Sequence, residues 1–304
     1  MAALICGSLA FDTITNFPGR FADQILPEQV HILNVSFLVP TMRREFGGCA
    51  GNIAYNLRLL GGEPVVMATL GDDGDDYMRR LTSWGVDQSL VRRIPDAFTA
   101  QAMIVTDQDN NQITAFHPGA MQFAHETKVP EGRADLRIGI IAPDGREAML
   151  SHAHQMQAAN IDFIFDPGQG LPMFNADELR HFVSLARWVA VNDYEGRMLC
   201  ERLGTDLATL SRLPNLDGVV VTLGGEGAEL WLSGRRIVCP PVQATTVNDP
   251  TGCGDAFRAA LLFGLERDWP LERCVQIGNR LGAAKIACHG PQNHCPSREQ
   301  LLGS

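Results

Sequence analysis

The sequence predicts an α/β fold, a mostly parallel central sheet covered on both faces by helices, with a small β-strand lid. Three observations carry that expectation. Short apolar or β-branched runs recur between longer stretches of helical period, which is the pattern of strands joined by crossover helices. Two regions break the alternation, Val30 to Val39, and Gln101 to Thr106 with Gln112 to His117 around the turn-forming Asp109-Asn110-Asn111. They read as antiparallel strands added to the main sheet. No internal repeat, low-complexity tract or Pro/Gly/Ser linker divides the chain, so residues 1–304 are expected to form one domain, with lid strands inserted at about 12–45 and 96–119.

Taken in order, Met1 leads straight into the strand-like Leu4-Ile5-Cys6, without a basic leader or cleavage site. No window approaches the ~20 apolar residues needed to span a bilayer, so a cytoplasmic protein without a membrane partner is expected. A helix follows from Ala50 to Leu60, stopped by Gly61-Gly62, and then the strand Val65 to Leu70. Beyond the lid come the strand Arg137 to Ala142, a helix from Asp144 to Ala159 with acidic residues at its start, and strands at Asp162 to Phe165 and Trp188 to Val191. The strand Gly218 to Leu223 opens into a glycine turn before Glu229 to Leu232, and an apolar helix runs from Arg258 to Leu265.

Composition narrows the function. Of 304 residues, 45% are apolar and 20% charged, enough to bury a sizeable core. The net charge of −10 repels a polyanion, so nucleic acid is not the expected partner. Lysine occurs only at Lys128 and Lys285, neither after a glycine, which rules out a GxxxxGK[ST] phosphate loop. The eight cysteines contain no CxxC pair and are expected to be reduced. Cys288-His289 and His294-Cys295 could supply four soft ligands, but adjacent side chains diverge and Gly290-Pro291 intervene, so zinc is not expected. His152 and His154, two residues apart on one helix, do not face each other and read as packing or solvent residues.

The most informative stretch is Asn248-Asp249-Pro250-Thr251-Gly252-Cys253-Gly254-Asp255-Ala256-Phe257. Glycines at a helix start free backbone N–H groups to converge on an anion, and the helix dipole adds to the attraction, so Gly252, Cys253 and Gly254 make a lysine-free phosphate cradle. Asp255 in that first turn is placed to take a proton from a substrate hydroxyl. The plainer reading has Asp249 capping the helix and Asp255 complementing its dipole. Upstream, Gly47-Gly48 permits close backbone approach, and Asn52 offers an amide that both donates and accepts, although a tight turn with an Asn cap would look the same.

The DPTGCGDAFRAALLFGL stretch resembles the C-terminal signature of the ribokinase or phosphofructokinase-B family of sugar and nucleoside kinases, with Cys253 where alanine is commonest. Gly47-Gly48-Cys49-Ala50-Gly51-Asn52-Ile53-Ala54, followed by Gly71, resembles its N-terminal signature. The resemblance implies a ribokinase-like fold and an ATP-dependent phosphotransferase with Asp255 as general base. It implies that Asp12, Gly48 and Asn52 bind the sugar, that Asn192 and Glu195 of Asn192-Asp193-Tyr194-Glu195 order Mg²⁺ and its waters, with Glu195 holding it through water, and that Asn192, Thr222, Gly224, Gly227 and Asn279 line the ATP site. The loop His289-Gly290-Pro291-Gln292-Asn293 aligns with the opposite wall of the adenine site. A monovalent cation such as K⁺ is also compatible with it.

The lid sets the substrate class. Ile32, Val35, Phe37 and Val39, with Met103 and Phe116, are more apolar than a bare sugar requires and suit a flat purine. Together with Ile141-Ala142-Pro143-Asp144-Gly145-Arg146-Glu147-Ala148-Met149, the signature resembles bacterial adenosine kinase-like nucleoside kinases, which implies a 5′-kinase of adenosine or a related purine nucleoside. The alternatives are a ribokinase- or fructokinase-type sugar kinase, its lid residues closing a homodimer, and a nucleotide- or sugar-binding regulatory module, which would not need Asp255.

Overall fold

The computed structural model describes residues 2–25, 34–109 and 111–303. The first half of the chain lays down β1 (Ala2–Cys6), β2 (Ala10–Asn16), β3 (Thr41–Gly47), α1 (Cys49–Leu60), β4 (Pro64–Leu70), α2 (Asp75–Ser83), β5 (Asp87–Arg93), β6 (Ala100–Thr106) and β7 (Gln112–His117). It continues through β8 (Leu136–Ile141), α3 (Arg146–Ala158), β9 (Asp162–Phe165), α4 (Ala176–Leu185), β10 (Trp188–Asn192), α5 (Asp193–Leu203) and α6 (Leu207–Leu210). The last part adds β11 (Gly218–Thr222), β12 (Ala228–Leu232), β13 (Arg235–Cys239), α7 (Cys253–Leu265), α8 (Leu271–Ile286) and α9 (Arg298–Leu302).

Nine strands form one sheet in the order β13-β12-β11-β10-β9-β8-β1-β4-β5. Pairing is parallel from β5 to β11, and the β11-β12-β13 edge is antiparallel. β1 and β4 are buried along their whole length, as the runs of apolar residues require when helices cover both faces. One face packs Ile53 and Leu57 of α1 with Phe263 of α7 and Leu281 of α8; the other packs Met156 of α3, Phe182 of α4 and Leu199 of α5. Each such side chain contributes about 1.5–3 kcal/mol by leaving water. No helix among the described residues is long and apolar enough to cross a membrane.

The lid is a second sheet of order β3-β2-β6-β7. Its strands are not wholly antiparallel, because β2 and β6 run parallel in register from Ala10↔Ala100 to Asn16↔Thr106. The strand expected over Val30 to Val39 is corrected as well. Val30 and Ile32 lie outside the described residues, as does Asn110 of the expected turn, while residues 34–40 form no strand; β3 begins only after Pro40. The alternating apolar residues there are used locally, since the Phe37 ring packs 4.9 Å from Phe17 and 5.1 Å from Phe21. Four strands escaped the sequence reading, β2, β3, β5 and β13; of these, β3 (TMRREFG) and the sheet-edge β5 (DQSLVRR) are largely polar, so they lack the apolar signal. The last apolar helix starts earlier than Arg258, at Cys253, which puts Gly254 and Asp255 inside its first turn.

Candidate active site

The start of α7 carries open amides that could receive an anion. Gly252 forms its N-cap at φ 81°, a left-handed geometry that only glycine adopts readily, and a Cβ there would lie 2.6 Å from Pro291 Cβ. No side chain caps this terminus, and the Gly252 and Gly254 amides have no acceptor among the described residues. They remain for a ligand, at the positive end of the helix dipole. Asp249 is not the cap: its Oδ1 accepts from the Thr251 amide at 2.9 Å and its Oδ2 from the Gly290 amide at 2.8 Å, so it ties the cradle to the 285–290 turn. The Cys253 amide, expected in the cradle, instead donates to the Pro250 carbonyl at 3.1 Å and closes the turn before α7, and the Cys253 thiol lies 3.8 Å from the Gly282 carbonyl.

The N-terminal signature arrives at the same point from the other side. Gly48, at φ 85°, caps α1, where a Cβ would lie 2.5 Å from the Ser8 carbonyl oxygen. This tight turn aims α1 at α7, and Asn52 is not its cap. The Asn52 Nδ2 donates to Asp255 Oδ2 at 2.8 Å, joining residues 203 positions apart. Behind it, Gln292 Nε2 donates to Asn52 Oδ1 at 2.9 Å and to Tyr77 OH at 2.9 Å, and Tyr77 OH donates to the Gly47 carbonyl at 2.6 Å. The Gln292 side chain therefore braces Asn52 from within the protein. Asn293 donates to Glu45 Oε2 at 2.9 Å on the lid.

Electrostatics set the carboxyl groups apart. Asp255 is raised to about 6, first by burial and then by the Asp166 charge, against the Asn52 hydrogen bond and Arg258. Asp12, on β2, is also raised to about 6, by burial and by Glu45 and Asp249. Sequence reasoning missed Arg258, one turn after Asp255. Its Nε and Nη2 each lie 3.2 Å from an Asp166 carboxylate oxygen, Nη2 donates to the Ala190 carbonyl at 3.2 Å, and Glu195 Oε2 is 3.9 Å away. Burial pulls the guanidinium down, and Asp166 and Glu195 more than restore it, so it stays charged under the cradle. Its lone signal in the sequence was an arginine inside an apolar helix.

Asn192 and Glu195 form a capping box on α5: Asn192 Oδ1 accepts from the Glu195 amide at 2.7 Å, and Glu195 Oε2 accepts from the Asn192 amide at 2.8 Å. Glu195 Oε1 has no protein partner among the described residues, as a carboxylate serving an ordered water would require. Asn192 and Thr222 are paired at the ends of adjacent strands β10 and β11. Gly224 and Gly227 bracket the short turn after β11, and Asn279 Nδ2 donates to the Pro240 carbonyl at 2.8 Å, fastening α8 to the end of β13 beside that turn.

The lid register separates two residues expected to act together. Phe116 pairs with Ala102, which pairs with Asp12, so Phe116 shares the Asp12 face. Met103 pairs with Thr13 and Ala115, and the two-residue period puts it on the opposite face, with Met42 and Ile113. Met103 is thus not a partner of Phe116 on the cleft side. His294 points inward, its Nε2 2.7 Å from Asn56 Oδ1, and His152 is buried with Nε2 3.1 Å from Thr127 Oγ1.

The family model "pfkB family carbohydrate kinase" matches residues 17–298. The chain is 29% identical to a nucleoside kinase of Methanocaldococcus jannaschii over 271 residues, 88% of each chain. It superimposes with a TM-score of 0.88 on the nucleoside kinase of Burkholderia thailandensis in complex with inosine, at 45% identity over 98% of this chain and 95% of that one. The ADP-inosine complex of the same protein gives a TM-score of 0.84 at 47% identity, over 98% and 93%.

Proposed function

The chain belongs to the pfkB family of carbohydrate kinases and is a phosphotransferase acting on an alcohol, and from that premise we propose that it moves the γ-phosphoryl group of ATP to the 5′-hydroxyl of a purine ribonucleoside such as adenosine. The observation that carries the reading is the Asn52–Asp255 bond at the uncapped start of α7, which sets a base and an anion cradle side by side. Asp255 takes the 5′-hydroxyl proton as the oxygen attacks, and the Gly252 and Gly254 amides receive charge on the transferred group. Asp12 and the second N–H of Asn52 read the ribose diol. Inosine in the solved relative supports a purine.

ATP lies along Asn192, Thr222, Gly224, Gly227 and Asn279, a grouping that the β10–β11 pairing and the Asn279–Pro240 bond support. Mg²⁺ bound with ATP would supply charge neutralisation of the phosphates, and Glu195, with its free oxygen, would hold it through water. The outer lid face carrying Met42, Met103 and Ile113 would close a homodimer, so sedimentation as a monomer at micromolar concentration would contradict that part.

A coupled assay over adenosine, inosine, guanosine, cytidine, 2′-deoxyadenosine, ribose and fructose tests the whole. Adenosine or inosine should exceed the free sugars and the deoxynucleoside in kcat/KM. Asp255→Asn should lose about 10²- to 10⁴-fold in kcat while binding nucleoside within a few-fold. A variant keeping a third of wild-type kcat, or ribose as the preferred acceptor, would move the protein to another reading.

A further inference from the structure

Lys285 has no part in the chemistry just described, yet it is 0% exposed. Its ammonium donates to two main-chain oxygens, the carbonyl of Asp249 at 2.8 Å and that of Cys288 at 3.0 Å. An ammonium is costly to bury, so a fold that keeps one against carbonyls has a use for the charge. Burial pulls the ammonium down, and Asp249 and Glu45 partly oppose that without replacing either carbonyl contact.

The position is informative. Asp249 opens the segment that becomes the α7 cradle, and Cys288 belongs to the turn that returns to it. The Asn248 and Asp249 amides both donate to the Ile286 carbonyl, at 2.9 and 3.1 Å, and the Asn248 side chain donates to the Ala287 carbonyl at 2.7 Å. With the Gly290 amide on Asp249 Oδ2, the two segments are knotted around one positive charge. A loop that turns amides towards an anion leaves carbonyls behind it, and these need a donor or a cation.

We propose that Lys285 is a built-in monovalent cation: its ammonium takes the place among the Asp249 and Cys288 carbonyls that a free ion such as K⁺ would occupy, shapes the cradle and lends it positive charge. This rests on the phosphoryl-transfer reading of the cradle. The donor set does not fit a free ion while the ammonium is present, since both would compete for the same oxygens and repel at contact distance. Binding and turnover should therefore be indifferent to the monovalent cation in solution.

ADP affinity and melting temperature, neither of which needs nucleoside turnover, test this for the wild type and Lys285→Ala in potassium, sodium, ammonium and tetramethylammonium chloride at equal ionic strength. The wild type should be the same in all four. Lys285→Ala should bind ADP about tenfold or more weakly in tetramethylammonium and recover in potassium or ammonium. A several-fold gain in wild-type affinity with potassium, a variant equal to the wild type in tetramethylammonium, or a folded variant that no cation rescues would each overturn the assignment. If Lys285→Ala does not fold, the wild-type series decides alone. If the wild type binds no ADP in any salt, the kinase reading fails instead, and the Lys285 assignment is then decided by whether potassium raises the melting temperature of the variant and not of the wild type.

Discussion

Asp255 and Asp12 both titrate near 6, and for the same first reason, burial at the cleft. A base must be ionised to accept a proton, so kcat/KM should fall as pH drops through about 6, by about tenfold per unit for one essential group. Asp12→Asn should keep that limb, because Asp255 remains, and a profile flat down to about pH 5 would remove Asp255 as the base. Stability runs the other way. A carboxyl raised from 3.8 to about 6 binds its proton more tightly folded than unfolded, so its contribution is lost as pH rises through that window. Asp255 and Asn52 were legible as residues, since each stands in a glycine-marked turn; Arg258 was printed in the same motif and went unassigned, because only packing shows that its charge is buried.

At the level of elements, α7 is held to the sheet by that arginine. Arg258 spans from the helix to Asp166 just beyond β9 and to the Ala190 carbonyl of β10, so it fixes how far the cradle stands from the strand ends. Arg258→Met would leave Asp166 buried without its partner and should cost about 3–5 kcal/mol in urea unfolding. The same variant should move the acid limb of any residual activity upward in pH, because Arg258 lowers Asp255. A cost below about 1 kcal/mol would mean that the pair behaves as a surface ion pair. Helices α1 and α3 and the central strands β1, β4 and β8 to β12 were legible from their apolar runs. β3 and β5 were not, because their polar residues meet no core requirement strong enough to mark the sequence.

Across the whole molecule, lid and body meet through the Asn293–Glu45 bond beside the proposed site. Phe116 is 52% exposed on the Asp12 face, available to a flat base laid between the lid and the main domain. Covering the cleft would exclude water from a reaction that water can intercept. Phe116→Ala should raise KM for adenosine roughly tenfold, the worth of one lost aromatic contact, and change KM for ATP much less. The reverse ranking in steady-state kinetics would detach Phe116 from the nucleoside.

The sequence by itself determined the α/β class, most strands of the central sheet, and the two glycine-marked turns at Gly47-Gly48 and Gly252 to Gly254. Those features follow from local chemistry: hydrophobic period, backbone freedom and the demand of a helix terminus for partners. Only the tertiary structure decided that Asn52 meets Asp255, that Met103 and Phe116 lie on opposite faces of the lid, and that Lys285 sits beneath the cradle. Such relations depend on strand register and on contacts between segments as many as 203 residues apart, and a one-residue slip in pairing reverses them without changing any local signal.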